Sequence, residues 1–258
     1  MPRLTVASSI AEKSTSIDEA PVRCANCPIA AQAVCAYCEP HELVLLDQIK
    51  SYRTYEAGQE IVGAGEDSTL VGSVVEGVVK LTKTLVDGRR QMVGLLFPSD
   101  FIGRAMRHTV EYDAVAATKV TLCTFQKPAF ERLLRNTPHI EQRLLEMTLD
   151  ELDAAREWLL LLGRKTAKEK VASFLCILAS RSGRSDEHDT SRKSFQIPIS
   201  REDMADYLGL TIETVSRQMS ALKKDGLIEV SGARDIDVPD FAALMEVSGD
   251  DAEGGVIP

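Results

Sequence analysis

The 258-residue chain has no long apolar run. Its richest stretches, WLLLL at 158–162 and FLCILA at 174–179, fall far short of the ~20 residues that cross a bilayer. The N-terminal MPRLTVASSIAEKSTSIDEA has no uninterrupted apolar stretch of the kind a secretory leader carries. A membrane role is excluded and a cytoplasmic location expected. Motifs of catalysis are missing as well: there is no Gly-rich phosphate loop, no nucleophile elbow and no recognisable carboxylate pair. His41, His108, His139 and His188 show no metal-ligand spacing with one another. A non-enzyme is therefore expected. Basic charge is scarce, 30 Lys and Arg against 39 Asp and Glu, and a net −9 taken whole argues against a nucleic-acid binder. The shortage is uneven, because residues 164–234 hold 13 basic against 10 acidic side chains.

Residues 1–20 are Ser/Thr-rich without periodicity and read as a flexible arm. From about Tyr52 to Phe125 short apolar runs alternate with glycines, and Asp87-Gly88 between alternating segments signals a hairpin. This predicts a small antiparallel barrel or jelly roll. From Lys127 to Gly163 the period becomes helical, with Pro128 and Pro138 at positions that favour helix starts. Leu145, Thr148, Leu152, Ala155, Leu159 and Leu162 alternate three- and four-residue steps, the spacing of a coiled-coil seam. Such a stripe covers either the chain's own β domain or a second copy, and a homodimer is expected. KTAKEKVASFLCILASR is a further helix, followed by a polar loop and the short strand FQIPI.

The segment SREDMADYLGLTIETVSRQMSALKKDGLIEV reads as two helices joined by a tight turn. Ser200 with Asp203 forms a capping box, Met204, Ala205 and Leu208 line one face, Gly209 makes the turn, and Thr211 caps the second helix. There Ile212, Val215, Met219 and Leu222 are expected to face inward and Glu213, Ser216, Arg217 and Ser220 outward. This is a helix-turn-helix, and DGLIEV, SGAR and DIDVP add a two-stranded wing. Arg217 suits guanine, Glu213 the amino group of cytosine, and Ser216 either; Lys223 and Lys224, with Arg192 and Lys193, suit phosphates. The partner expected is double-stranded DNA.

Four of the six cysteines crowd into CANCPIAAQAVCAYC, from Cys24 to Cys38. In a reducing compartment clustered thiols are metal ligands or redox centres more often than disulfides. Cys24, Cys27, Cys35 and Cys38 can form a local zinc site, while a cluster or metal-free redox thiols fit the same residue types. Spacing does not choose among these. Cys176, on an apolar helical stripe, reads as packing.

The order of β roll, long helix and winged helix-turn-helix resembles the family of bacterial transcription regulators that includes the catabolite activator protein and FNR, the fumarate and nitrate reduction regulator. The resemblance runs from about Cys24 to Phe241, with YLGLTIETVSRQMSALKKDGLI its most specific stretch and FPSDFIG at 97–103 similar to a turn of the family's sensory domain. It implies an α+β fold: a cluster-binding segment and jelly-roll, cyclic-nucleotide-binding-like sensory domain over 21–126, a dimerisation helix region over 127–163, a winged helix-turn-helix over 164–241 and a tail over 242–258. Glu213, Ser216 and Arg217 look like the FNR-type recognition residues, which implies an inverted repeat related to TTGAT-N4-ATCAA, an activator role and contact with RNA polymerase. Cys24-x2-Cys27-x7-Cys35 with distant Cys123 resembles the ligand pattern of alphaproteobacterial FNR homologues, implying a 4Fe-4S cluster, oxygen sensing, and Cys123 as fourth ligand with Cys38 as the alternative. No cyclic nucleotide is expected, because the family's phosphate-holding pair is missing and Glu111 and Asp113 would repel a phosphate.

Overall fold

A computed structural model describes residues 24–185 and 191–249. The expected arm over 1–20 lies outside them, as do residues 186–190 of the polar loop over 182–194 and residues 250–258 of the expected tail. Cys24–Asn26 form a single 3-10 turn, and Pro40–Ile49 form α1. The β domain follows as β1 (Lys50–Tyr55), β2 (Glu60–Val62), β3 (Leu70–Glu76), β4 (Val79–Thr84), β5 (Arg90–Leu96), β6 (Phe101–Ile102), β7 (Asp113–Ala116) and β8 (Val120–Gln126). They pair into two antiparallel sheets, β1-β8-β3-β6 and β2-β7-β4-β5. Between the sheets lie Val74, Val120 and Leu122 from one and Val79, Leu81, Ala114 and Ala116 from the other.

Strand alternation then decides where Cys123 points. Val120 and Leu122 of β8 enter the core between the sheets, so Cys123 and Phe125 face the opposite side. There they meet Cys24, Val34, Leu46 of α1, Phe130 and Ile140. Gly72 of β3 makes room for this strand: a Cβ on it would lie 2.3 Å from the carbonyl oxygen of Cys123.

The helical region after the roll is two helices, α2 (Lys127–Asn136) and α3 (Pro138–Arg164), broken at Thr137. α3 has 27 residues and is about 40 Å long. Then come α4 (Ala167–Ser182), β9 (Arg184–Ser185), β10 (Lys193–Gln196), α5 (Arg201–Leu208), α6 (Ile212–Lys224), β11 (Glu229–Ser231), β12 (Asp235–Val238) and α7 (Phe241–Ser248). The wing is larger than the sequence suggests, because β11 and β12 continue through β10 to β9 in one sheet. The tail placed at 242–258 needs correction: its start is α7, capped by Asp240, with Leu244 and Ser248 fully buried. Cys176 is buried among Phe174, Leu175 and Ile177 of α4, in a core that also takes in Val78, Met92 and Phe97 of the β domain. The C-terminal half and the β roll are thus packed as one core.

Candidate nucleic-acid interface and thiol site

The helix pair is built by local chemistry. Ser200 Oγ accepts from the amide of Asp203 at 3.0 Å, and Asp203 Oδ2 accepts from the amide and hydroxyl of Ser200. Met204, Ala205 and Leu208 of α5 are buried. Gly209 ends α5 at φ 61° and ψ 42°, the left-handed region that favours glycine. Thr211 Oγ1 accepts from the amide of Thr214 at 3.2 Å and caps α6.

Val215, Met219 and Leu222 hold α6 to the core, and Glu213, Ser216, Arg217 and Ser220 are exposed. Ile212 departs from expectation at 44% exposed, standing at the very start of α6 where the helix leaves the turn. Arg217 Nη2 donates to Thr214 Oγ1 at 3.1 Å, which parks the guanidinium by the helix N-terminus. Hydrogen bonds from its own amide and from Thr211, with the Arg217 charge nearby, hold Glu213 below the usual carboxylate range. Lys223 and Lys224 occupy the last turn, where they also suit the helix dipole. Arg192 pairs with Glu229 at 3.7 Å across the wing base, and Lys193 opens β10 opposite Val238. Arg234, exposed between β11 and β12, is a wing cation that the sequence pattern did not single out.

α5 is gripped from the β domain. Lys80 Nζ lies 2.7 Å from Asp203 Oδ1, Arg90 Nη2 lies 3.0 Å from Asp206 Oδ2, and Gln91 Nε2 donates to the carbonyl of Asp206 at 2.6 Å. Trp158 of α3 stacks on Tyr207, ring centres 4.0 Å apart. The three polar pairs join residues more than a hundred positions apart, and nothing in a linear pattern marks them.

On α3 an apolar strip is left uncovered: Leu145, Leu149, Leu152 and Leu159 are 45–71% exposed, with Thr148 and Ala155 exposed between them. Leu162, assigned to the same seam by spacing, is instead half-buried against the chain's own core near Gly209.

At the other end of α3 stand the thiols. Cys24 and Cys123 are buried, and Cys27, Cys35 and Cys38 half-buried. Short turns shape the segment, with the amide of Cys27 donating to the carbonyl of Cys24 at 3.3 Å and that of Cys38 to Cys35 at 3.1 Å. Burial, then the neighbouring Cys24 and Cys27, push the Cys123 thiol up to about 12, with Lys50 pulling the other way. Burial, Cys27 and Cys24 push Cys35 to about 11, and burial, Cys35, Glu42 and Cys24 push Cys38 to about 12. Cys35, Cys38 and Cys123 therefore stay protonated at neutral pH. Among the described residues no three His, Cys, Asp or Glu side chains converge on one point that would hold a single ion. The segment is strapped to the start of α3: Arg143 Nη2 donates to the Gln32 carbonyl at 2.7 Å, Arg143 lies over the Tyr37 ring, and His139 Nδ1 meets both Glu42 oxygens at 3.0 Å.

Glu111 is exposed, while Asp113 begins β7 and accepts from the amide of Ala64 at 2.8 Å. No helix among the described residues is long and apolar enough to cross a membrane.

A β roll joined by a long helix to a winged helix-turn-helix defines a two-domain DNA-binding regulator, and comparison with known proteins agrees. Residues 169–247 match the model for the Crp-like helix-turn-helix domain and residues 52–137 that for the cyclic nucleotide-binding domain. The chain is 56% identical to the transcriptional activator protein FnrL of Cereibacter sphaeroides, over 91% of this chain and 95% of that one. It is 38% identical to the nitrogen fixation regulation protein FixK of Bradyrhizobium diazoefficiens, over 80% and 86%. The solved structure of FixK2 from Bradyrhizobium japonicum superposes with a TM-score of 0.71 at 33% identity, covering 79% of this chain and 100% of that one. The chain belongs to the CRP/FNR family of transcription regulators, and within it is of the FNR/FixK type.

Proposed function

We propose that this regulator is an oxygen-responsive activator, a homodimer whose DNA occupancy depends on a 4Fe-4S cluster held by Cys24, Cys27, Cys35 and Cys123. The observation that carries this is the gathering of thiols from two segments about ninety residues apart, in one apolar site beneath one ammonium. Soft thiolates drawn from two distant segments into one partly buried site are the donor type that an iron–sulfur cluster takes. Cys38 feels Cys35 and Glu42 first, on the α1 side of the site, whereas Cys123 feels Cys24, Cys27 and Cys35 together. That favours Cys123 over Cys38 as fourth ligand.

Bound there, the cluster would supply oxygen-labile redox chemistry and tie the 24–38 segment to β8. Arg143, Tyr37 and the His139–Glu42 pair carry the position of that segment into the first turns of α3. The exposed leucines of α3 pair with those of a second copy. Dimerisation sets two α6 helices about 34 Å apart for successive major grooves of a TTGAT-N4-ATCAA-like repeat, where Arg217 and Glu213 read bases and Thr211 and Lys223 contact the backbone. No cyclic nucleotide is required, and RNA polymerase is the partner of the DNA-bound form. A coupling of ~1–3 kcal/mol between cluster and dimer changes DNA affinity 5- to 150-fold.

The test is iron and acid-labile sulfide per chain, with a visible spectrum, on protein purified without air and then exposed to it. About four of each per chain and a colour that bleaches are expected. Cys123→Ser should lose the cluster and Cys38→Ser keep it. Zinc alone, or no metal, would overturn the assignment.

A further inference from the structure

Lys50 belongs to no DNA contact, no seam and no thiol pattern, yet its side chain is only 5% exposed. It opens β1, opposite Phe125 of β8, on the strand that borders Cys123. Its Nζ lies 3.7 Å from Cys24 Sγ, 2.6 Å from Asp47 Oδ1 and 5.4 Å from the centre of the Tyr52 ring. The same Asp47 oxygen accepts from the amide of Cys24 at 3.2 Å. One carboxylate thus fixes both the cation and the backbone of the cysteine beside it.

We propose that Lys50 is a positioning residue that sets the redox poise and air lifetime of the cluster, by placing a fixed positive charge and an N–H donor against its thiolate ligands. This rests on the cluster assignment above. The physical case starts from the cost of burial: an ammonium with so little water around it must find its counter-charge in the protein. Asp47 supplies one, but it is 42% exposed and partly answered by solvent, so it does not cancel the field on the buried side. On that side lie Cys24, Cys35 and Cys123, and each of these three feels the Lys50 charge. A cluster with four thiolates is anionic. A nearby cation and a hydrogen bond to sulfur favour its electron-rich state, raise its potential and slow its oxidation. Asp47 therefore orients Lys50 and Cys24 together, as an outer-shell carboxylate does for a metal ligand.

The experiment compares full-length wild type with Lys50→Met and Lys50→Arg, all purified without air. Readouts are iron and sulfide per chain, the midpoint potential by dithionite titration, and the rate of absorbance loss in air. Lys50→Met should have a lower midpoint potential and lose its colour about tenfold faster, the low end of what loss of an outer-shell partner costs a metal site. Lys50→Arg, which keeps the charge, should stay near wild type. Should Lys50→Met not fold, Lys50→Gln removes the charge while keeping a donor for Asp47. An unchanged potential and air lifetime in the neutral variants would overturn the proposal, and so would Lys50→Arg behaving as they do, since that result tracks packing. A wild-type chain without iron removes the cluster assignment and this inference with it; iron in the wild type with unaltered neutral variants removes this inference alone.

Discussion

Asp203 divides its two oxygens between two tasks, which makes it the most informative single position for stability. Oδ2 closes the capping box of α5 with Ser200, and Oδ1 takes Lys80 from β4 at 2.7 Å. Loss of an N-terminal cap costs about 1 kcal/mol. Leaving the partner of a well-shielded hydrogen bond unpaired costs about 1–3 kcal/mol, and this pair is only 18% and 13% exposed. Asp203→Ala should therefore destabilise by about 2–4 kcal/mol, Ser200→Ala by about 1 and Lys80→Met by about 1–2. The sole tryptophan, Trp158, stacks on Tyr207 of α5, so its fluorescence during urea unfolding reports on this very contact. Acid should act at the same point. Burial raises the Asp203 pKa, but hydrogen bonds from Lys80 and Ser200 and the Lys80 charge outweigh it, and the net shift is downward. Its contribution is then complete above the ordinary carboxylate value of ~3.9 and lost as pH falls through the lower folded value. If Lys80→Met costs as much in an Asp203→Ala background as in wild type, the pair is not coupled and the grip on α5 is misassigned.

Three further outcomes are expected. Arg217→Ala should reduce discrimination at the half-site guanine by ~1–3 kcal/mol in binding titrations, whereas Lys223→Ala should weaken all sequences alike and lower the salt slope by about 1; equal loss on every sequence for Arg217→Ala would refute base reading. Leu152→Glu, at an uncovered position of α3, should leave iron content intact but sediment as a monomer, and a persisting dimer would refute the seam. Hydrogen bonding to Glu42, helped by its charge, raises the His139 pKa, so that link is made below the ordinary ~6.5 and lost as pH rises through the raised value. Glu42→Gln should bring the His139 midpoint, followed by NMR, back toward ~6.5; no movement would refute the pair.

The DNA-reading half was legible because its instructions are local. Ser200, Gly209 and Thr211 each specify a cap or turn within a few residues, and Val215, Met219 and Leu222 recur at helical spacing. α1 has no single apolar stripe to read: Leu43, Leu46 and Ile49 pack on the core beside a buried Glu42, while Val44 and Leu45 are exposed, so apolar residues stand on both faces. α7 could have been found, since Asp240 before it and Gly249 after it are ordinary helix punctuation. Ile212 was misplaced by extending periodicity to the exposed first residue of α6, and Leu162 by extending a seam into residues that pack on their own domain. The thiol pattern showed which residue types gather, but Lys50, Asp47 and Arg143 entered only with coordinates, because a charge brought by folding leaves no spacing rule behind.

On α6 the residues that hold the helix and those that face outward are disjoint sets. Val215, Met219 and Leu222 are buried, while Glu213, Ser216, Arg217 and Ser220 are exposed, and Arg217 and Ser220 donate to Thr214 and Ser216 on the same helix. A change of outward residue consequently carries little folding cost. The address such a protein reads on DNA can drift, duplicate or be rewritten while the machinery behind it stays intact, so one scaffold can be passed from one set of promoters to another by a handful of surface substitutions.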